Sequence, residues 1–244
     1  MSSGSSRPPE PVSRKVSVDE FRRRAGEAVL GGVDRALLER WEPAKQRAAE
    51  ITGATRDNQV KAVTAVFARE LGAIGAATGA LAAVPTAGGA VVITGSFAEF
   101  GYFTFRSSEL VLTIGALHGH TDATIEEQRA WLLCVLTFGD GASKAFTKLA
   151  GELGKGLGKK TVEKVPMTTL RAINAAAGRT IVTKYGTKRG IVALGRALPV
   201  GIGSVIGGGA NYGNTRLLGR YANKFFTELP YRTIDTTTTD ESNP

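Results

Sequence analysis

At 244 residues and 42% apolar side chains, the chain can bury a sizeable core and is too apolar to be disordered throughout. Its single cysteine, Cys134, excludes an intramolecular disulfide and fits a reducing compartment. The net charge of +9 is unevenly spread: from Lys144 to Lys224, fifteen Lys and Arg face only Glu152 and Glu163, a net of +13, so the remainder sums to −4. That asymmetry points to an anionic partner for the C-terminal half, either a phospholipid surface or a nucleic acid.

In chain order, residues 1–15 are Ser/Pro-rich without periodicity and read as a disordered tail. Residues 16–229 read as one helical domain, and 230–244 as a second disordered tail, Thr-rich and acidic. Ser17 and Glu20 have capping-box spacing. The helix they open places Val18, Phe21, Ala25, Val29, Val33, Leu37 and Trp41 on one face, with Pro43 interrupting it. A second helix starts near Asp57 or Asn58, uses Val60, Val63, Phe67, Leu71 and Ile74, and ends by Val84, because the residue before a proline disfavours the helical region. Pro85 to Gly89 is a turn, and a long helix runs from about Ala90 to Leu117. Thr124 and Glu127 form another capping box, opening the helix that carries Trp131, Leu132, Val135 and Phe138. Thr161 to Leu198 is helical in pattern, and a last helix spans about Asn211 to Leu229. No run of alternating residues bounded by turns predicts a strand, so the expected fold class is all-α: a compact multi-helix bundle with closely packed Gly/Ala-rich central helices.

Two stretches dominate that core. Leu71 to Ala98 runs 28 residues without a charge, and Ala197 to Gly213 echoes it. The first could reach across a bilayer by length, but its eight large apolar side chains make spanning marginal. Small residues at four-residue spacing (Gly75/Gly79, Gly203/Gly207, Gly209/Gly213) favour close helix packing, so the two stretches are expected to meet, with Asn211 bridging to carbonyls near Pro199.

Candidate sites are few. Glu99, Arg106 and Leu110 share a face of the long helix, with Glu109 three residues beyond Arg106, and a Glu/Arg pair beside an apolar core is a functional candidate. A structural ion pair is the commoner fate of such residues. His118, His120 and Asp122 invite a metal, but no other His exists, and a solvated loop is the simpler reading. Cys134, inside an apolar run, reads as a buried thiol. Gly151 to Lys160 fails the phosphate-loop pattern, with Leu153 in place of the first Gly and Lys160 in place of Ser/Thr. Lys155, Lys159 and Lys160 there read instead as cations offered to an anionic surface. No cofactor and no metal is called for.

The chain resembles the EcsC protein family from Val63 to Phe226. The likeness lies in Val84-Pro85-Thr86-Ala87-Gly88-Gly89, in the long helix through Arg106 that closes on Gly119, and in Leu198-Pro199-Val200 followed by Gly203, Gly207, Asn211-Tyr212, Gly219, Ala222 and Phe225. Where relatives often carry an Asp before the equivalent of Arg106, this chain has Gly95-Ser96 and then Glu99. The resemblance implies a mainly helical bacterial protein without established chemistry, sometimes encoded beside an ABC transporter, which thereby becomes a partner to consider. The expected function is a non-enzymatic accessory or lipid-binding protein, cytoplasmic and peripherally membrane-associated, that engages an anionic lipid surface through its basic half. Two alternatives stand beside it: a hydrolase-type enzyme with a site among Glu99, Arg106, Asn211 and Tyr212, and a nucleic-acid-binding protein, which charge alone favours. The shortage of aromatic residues among the cations argues against nucleic acid. The oligomeric state has no signature in the sequence.

Overall fold

The computed structural model describes residues 18–82, 89–153, 165–185 and 203–229. Among these residues the regular structure is helical and no strand occurs, as the sequence pattern predicts. The helices are α1 (Val18–Glu39), α2 (Trp41–Glu50), α3 (Arg56–Ala82), α4 (Gly89–Leu117), α5 (Ile125–Phe138), α6 (Ala142–Leu153), α7 (Met167–Tyr185) and α8 (Gly203–Glu228), with a 3₁₀ turn at Gly139–Gly141. Both tails, the capping residue Ser17, the turn at Pro85 and the cations Lys155, Lys159 and Lys160 lie outside the described residues, as does the stretch around Pro199.

Helix α4 is the axis of the fold. Every residue from Thr104 to Leu117 is buried, and the helix packs against α1, α2, α3, α5 and α8. A helix enclosed on all sides belongs in a core, and Leu110, Val111, Leu112 and Ile114 supply its apolar bulk. It stops where Gly119 takes φ +87°, a left-handed conformation that glycine adopts without steric cost. The Gly119 N–H then donates to Ala116 and the His120 N–H to Gly115, which satisfies two of the last carbonyls of the helix.

The most extensive helix pair is α3 with α8, which run antiparallel: Gly72 meets Gly208, Leu71 meets Asn211, Thr64 meets Gly219 and Asp57 meets Asn223. A Cβ added to Gly208 would lie 2.9 Å from the Gly72 carbonyl oxygen and 3.0 Å from Ala76 Cβ, so the two backbones touch. The two Gly-rich segments therefore do pack together; of the expected glycines, Gly79, Gly203 and Gly207 have side-chain surroundings that lie outside the described residues. Gly209 and Gly213 face open space, and Gly208 with Gly72 makes the contact. The 100° step per residue of an α-helix explains the difference, since neighbouring glycines cannot share a face. Asn211 bridges as expected in kind, donating from Nδ2 to the Leu71 carbonyl of α3 at 3.4 Å rather than to the Pro199 region.

Three other expectations shift. The first helix breaks at Arg40, and Pro43 sits in the first turn of α2, where its missing N–H has no intrahelical partner to lose. Helix α8 begins eight residues before Asn211, at Gly203, because packing on α3 stabilises glycines that have poor helix propensity. The His118–Asp122 loop is only partly solvated. His118 stacks on Phe226 at 6.0 Å, and His120 lies between Phe226 and Trp131 at 5.5 and 5.4 Å. The capping box at α5 forms as predicted: the Glu127 N–H donates to Thr124 Oγ1, and the Thr124 N–H returns to the Glu127 carboxylate at 2.7 Å.

Candidate functional site

Two groups of charged side chains lie along α3, on different faces and about two turns apart. The first contains Arg106. Its Nε donates to Glu70 Oε1 of α3 at 2.7 Å, a second guanidinium nitrogen reaches the other Glu70 oxygen, and a third meets Glu109. Glu109 has no exposed side-chain surface, and two more arginines converge on it: Arg47 from the last turn of α2 at 3.3 Å and Arg40 from its N-cap at 3.5 Å. Aromatic faces hold these cations. Phe67 stands against Arg106 at 4.8 Å and Arg47 at 5.2 Å, and Phe105 against Arg40 at 4.6 Å. Burial works against the charged form of Arg106, but the hydrogen bond from Glu70 and the charges of Glu109 and Glu70 outweigh it, so its pKa lies above the ordinary value. The arrangement clamps α2 and α3 onto α4. Each of the three guanidinium nitrogens of Arg106 is engaged by a carboxylate of the protein itself.

The second group lines a cleft of about 380 Å³ between α3 and α8. Asp57, Val60, Lys61 and Thr64 form one wall, and Arg216, Gly219, Arg220 and Asn223 the other. These positions recur every three or four residues on each helix, so one ridge of α3 faces one ridge of α8. Lys61, Arg216 and Arg220 are exposed, and none of them is within ion-pair distance of an acid among the described residues. The wall's carboxylate, Asp57, already accepts the Asn223 amide at 3.0 Å. That bond orients the amide: its NH₂ faces the carboxylate, so its oxygen faces His118 Nε2 at 2.9 Å, and Nε2 must carry a proton. Burial is the chief cause that pushes the His118 pKa below its ordinary 6.5, with Arg56 acting in the same direction and Asn223 and Asp57 opposing. At the base, the Thr64 hydroxyl is buried against Gly219 with no hydrogen-bond partner.

The candidates read from the sequence do not converge on one pocket. Arg106 engages Glu70, whereas Asn211 and Tyr212 engage the next two residues of α3, Leu71 and Gly72, on another face. The side chain of Glu99 lies outside the described residues. Tyr212 is 41% exposed, and Cys134 is buried, with its thiol pushed up to about 12 by burial, far from a reactive thiolate. No group of three or more metal-ligating side chains occurs among the described residues. Sequence reasoning missed Glu70, Arg40 and Arg47, and the cleft residues Lys61, Thr64 and Asn223. For Glu109 a signal existed, a lone carboxylate entering the apolar run Leu110–Leu117. For the cleft there was none, because it depends on the register of α3 against α8. No protein-family model, no curated protein and no solved structure matches the chain.

Proposed function

We propose that the chain is a non-enzymatic accessory protein of the EcsC type that associates peripherally with anionic membrane surfaces through its basic C-terminal half. One observation carries most of this reading. Tyr212, Arg216 and Arg220 follow at four-residue spacing along the exposed stripe of α8, with Lys61 of α3 beside them and no acid pairing the cations among the described residues. An aromatic ring with a polar tip beside arginines suits the headgroup layer, where basic residues gain about 1 kcal/mol each near an anionic leaflet. No described helix is long and apolar enough to cross a membrane. The ABC transporter that the family resemblance implies is the natural neighbour on such a surface.

Sedimentation with vesicles tests the proposal. The protein is expected to pellet with phosphatidylglycerol vesicles and stay in solution with phosphatidylcholine. The bound fraction falls as salt rises, and falls again when Lys155, Lys159 and Lys160 are changed to Ala. Equal binding to both lipids, or salt-dependent binding to DNA without binding to either, would move the charge to the nucleic-acid reading.

A further inference from the structure

The α3–α8 cleft differs from an ordinary basic surface in three ways. Its cations sit on two facing helices rather than one, so their charges converge on a shared volume instead of radiating into solvent. The carboxylate at its edge, Asp57, is engaged by Asn223, which leaves three positive charges against one negative charge along the walls. Its base carries a hydroxyl, Thr64, that is 5% exposed and makes no hydrogen bond, although buried hydroxyls are normally satisfied. Gly219 contributes no side chain there, so its backbone lies directly against Thr64.

We propose that this cleft binds one phosphate group, taken between Arg216 and Arg220 on one wall and Lys61 on the other. Arginine suits the role because its planar fork meets two phosphate oxygens at once, while the lysine adds a point charge from the opposite side. The two arginines stand one helical turn apart on α8, close enough to share one tetrahedral anion. Thr64, which also lines the cleft, supplies an unpartnered hydroxyl beside these cations. A carboxylate offers two oxygens in one plane, whereas a phosphate offers a tetrahedral array and up to twice the charge, which suits cations placed on two facing walls. The inference rests on the membrane reading only for the source of that phosphate, which is either a lipid headgroup with a terminal phosphate or a free phosphate ester in solution.

The test titrates inorganic phosphate by calorimetry, and separately measures sedimentation with phosphatidic acid vesicles and with phosphatidylserine vesicles of equal charge. The full chain is compared with Arg216→Gln, Arg220→Gln, Thr64→Val, and Lys144→Gln, an exposed cation on α6 outside the cleft. Each arginine variant should weaken phosphate binding about tenfold, the usual scale for loss of one charge-assisted hydrogen bond. Thr64→Val should weaken it less while raising thermal stability, because an unpartnered buried hydroxyl is replaced by a methyl; a purely structural Thr64 would change stability alone. Lys144→Gln should leave phosphate affinity unchanged. Preference for phosphatidic acid over phosphatidylserine identifies the lipid source, and binding of inorganic phosphate without that preference identifies the soluble one. Phosphate binding by a chain that ignores anionic vesicles would keep the cleft and remove the membrane reading. Vesicle binding that all four variants retain equally, with no phosphate heat, would overturn the cleft and leave the membrane reading standing.

Discussion

Three cations gather at Glu109 and three at the α3–α8 cleft, and the two gatherings do opposite things. Arg40, Arg47 and Arg106 surround a carboxylate with no exposed surface, and Glu70 adds a second acid to Arg106. Phe67 and Phe105 fix the guanidinium planes. Each of these cations has a carboxylate of the protein as its partner. Lys61, Arg216 and Arg220 have water on one side and no acid in reach among the described residues. Their charge remains available to a ligand. Net charge therefore says little about function until each cation's partner is known. The +13 between Lys144 and Lys224 narrows the partner class, whereas Arg106, the candidate that a sequence pattern singles out most readily, is committed to holding helices together.

The largest expected effect comes from Glu109→Gln, which keeps the shape and removes the charge. Arg106 then keeps Glu70 while Arg40 and Arg47 lose the acid they pair with, and breaking a buried pair by removing one partner costs about 3–5 kcal/mol. Arg40 and Arg47 are about a third exposed and can turn to solvent, which favours the lower end of that range. A urea midpoint unchanged in this variant would show that the cluster is not a clamp, and the comparison would fail on its buried side.

Next in size is a pair of neighbours. Gly208→Leu drives a side chain into the Gly72 carbonyl and Ala76, and overpacking of this kind costs about 1–3 kcal/mol. Gly209→Leu points into open space, and there leucine's better helix propensity should stabilise slightly. Calorimetric melting of both variants checks the register of α3 against α8, on which the cleft depends. If the two shift alike, the walls of the cleft are set differently.

This pair also shows how far the sequence could be read. Helix class, the α5 cap, the end of α4 at Gly119 and the meeting of the two Gly-rich segments were legible, because each follows from local chemistry or from composition. Which glycine makes contact was not, since residues 203–213 hold five glycines and small side chains specify close approach without specifying the face. The same gap hid the cleft. Lys61 and Arg216 are 155 positions apart in sequence, and nothing in either helix announces the other. Arg40 was hidden differently: Pro43 drew attention as the breaker, whereas the chain bends three residues earlier.

A smaller effect is expected from acid. His118 has a folded-state pKa below its ordinary 6.5, so between those two values the unfolded chain binds more protons than the folded one. Stability is then fully present above about pH 6.5, declines as pH falls below it, and levels off once the folded imidazole also titrates. The effect is modest because Nε2–H donates to Asn223 whether or not Nδ1 is protonated, so the chain from His118 to Asp57 survives and opposes the penalty that burial and Arg56 put on the charge. Urea midpoints from about pH 5 to pH 8 should show this slope in the parent and less of it in His118→Gln. An equal slope in both would show that the acid sensitivity does not arise at His118.

The smallest expected change is in the stability of Arg216→Gln/Arg220→Gln. Both side chains are exposed and neither pairs with an acid among the described residues, so surface substitution of this kind should move stability by no more than about 0.5 kcal/mol. The sign is informative. Lys61, Arg216 and Arg220 repel one another across the cleft, so removing two of the three charges should stabilise slightly at low salt. The gain should vanish once salt shortens the Debye length to about 3 Å near 1 M. The Glu109→Gln loss, in contrast, should persist at high salt, because buried pairs are screened far less. A double variant that melts several degrees early at every salt concentration would mean that these arginines support the fold as Arg106 does, and the two clusters would then be one kind of device rather than two.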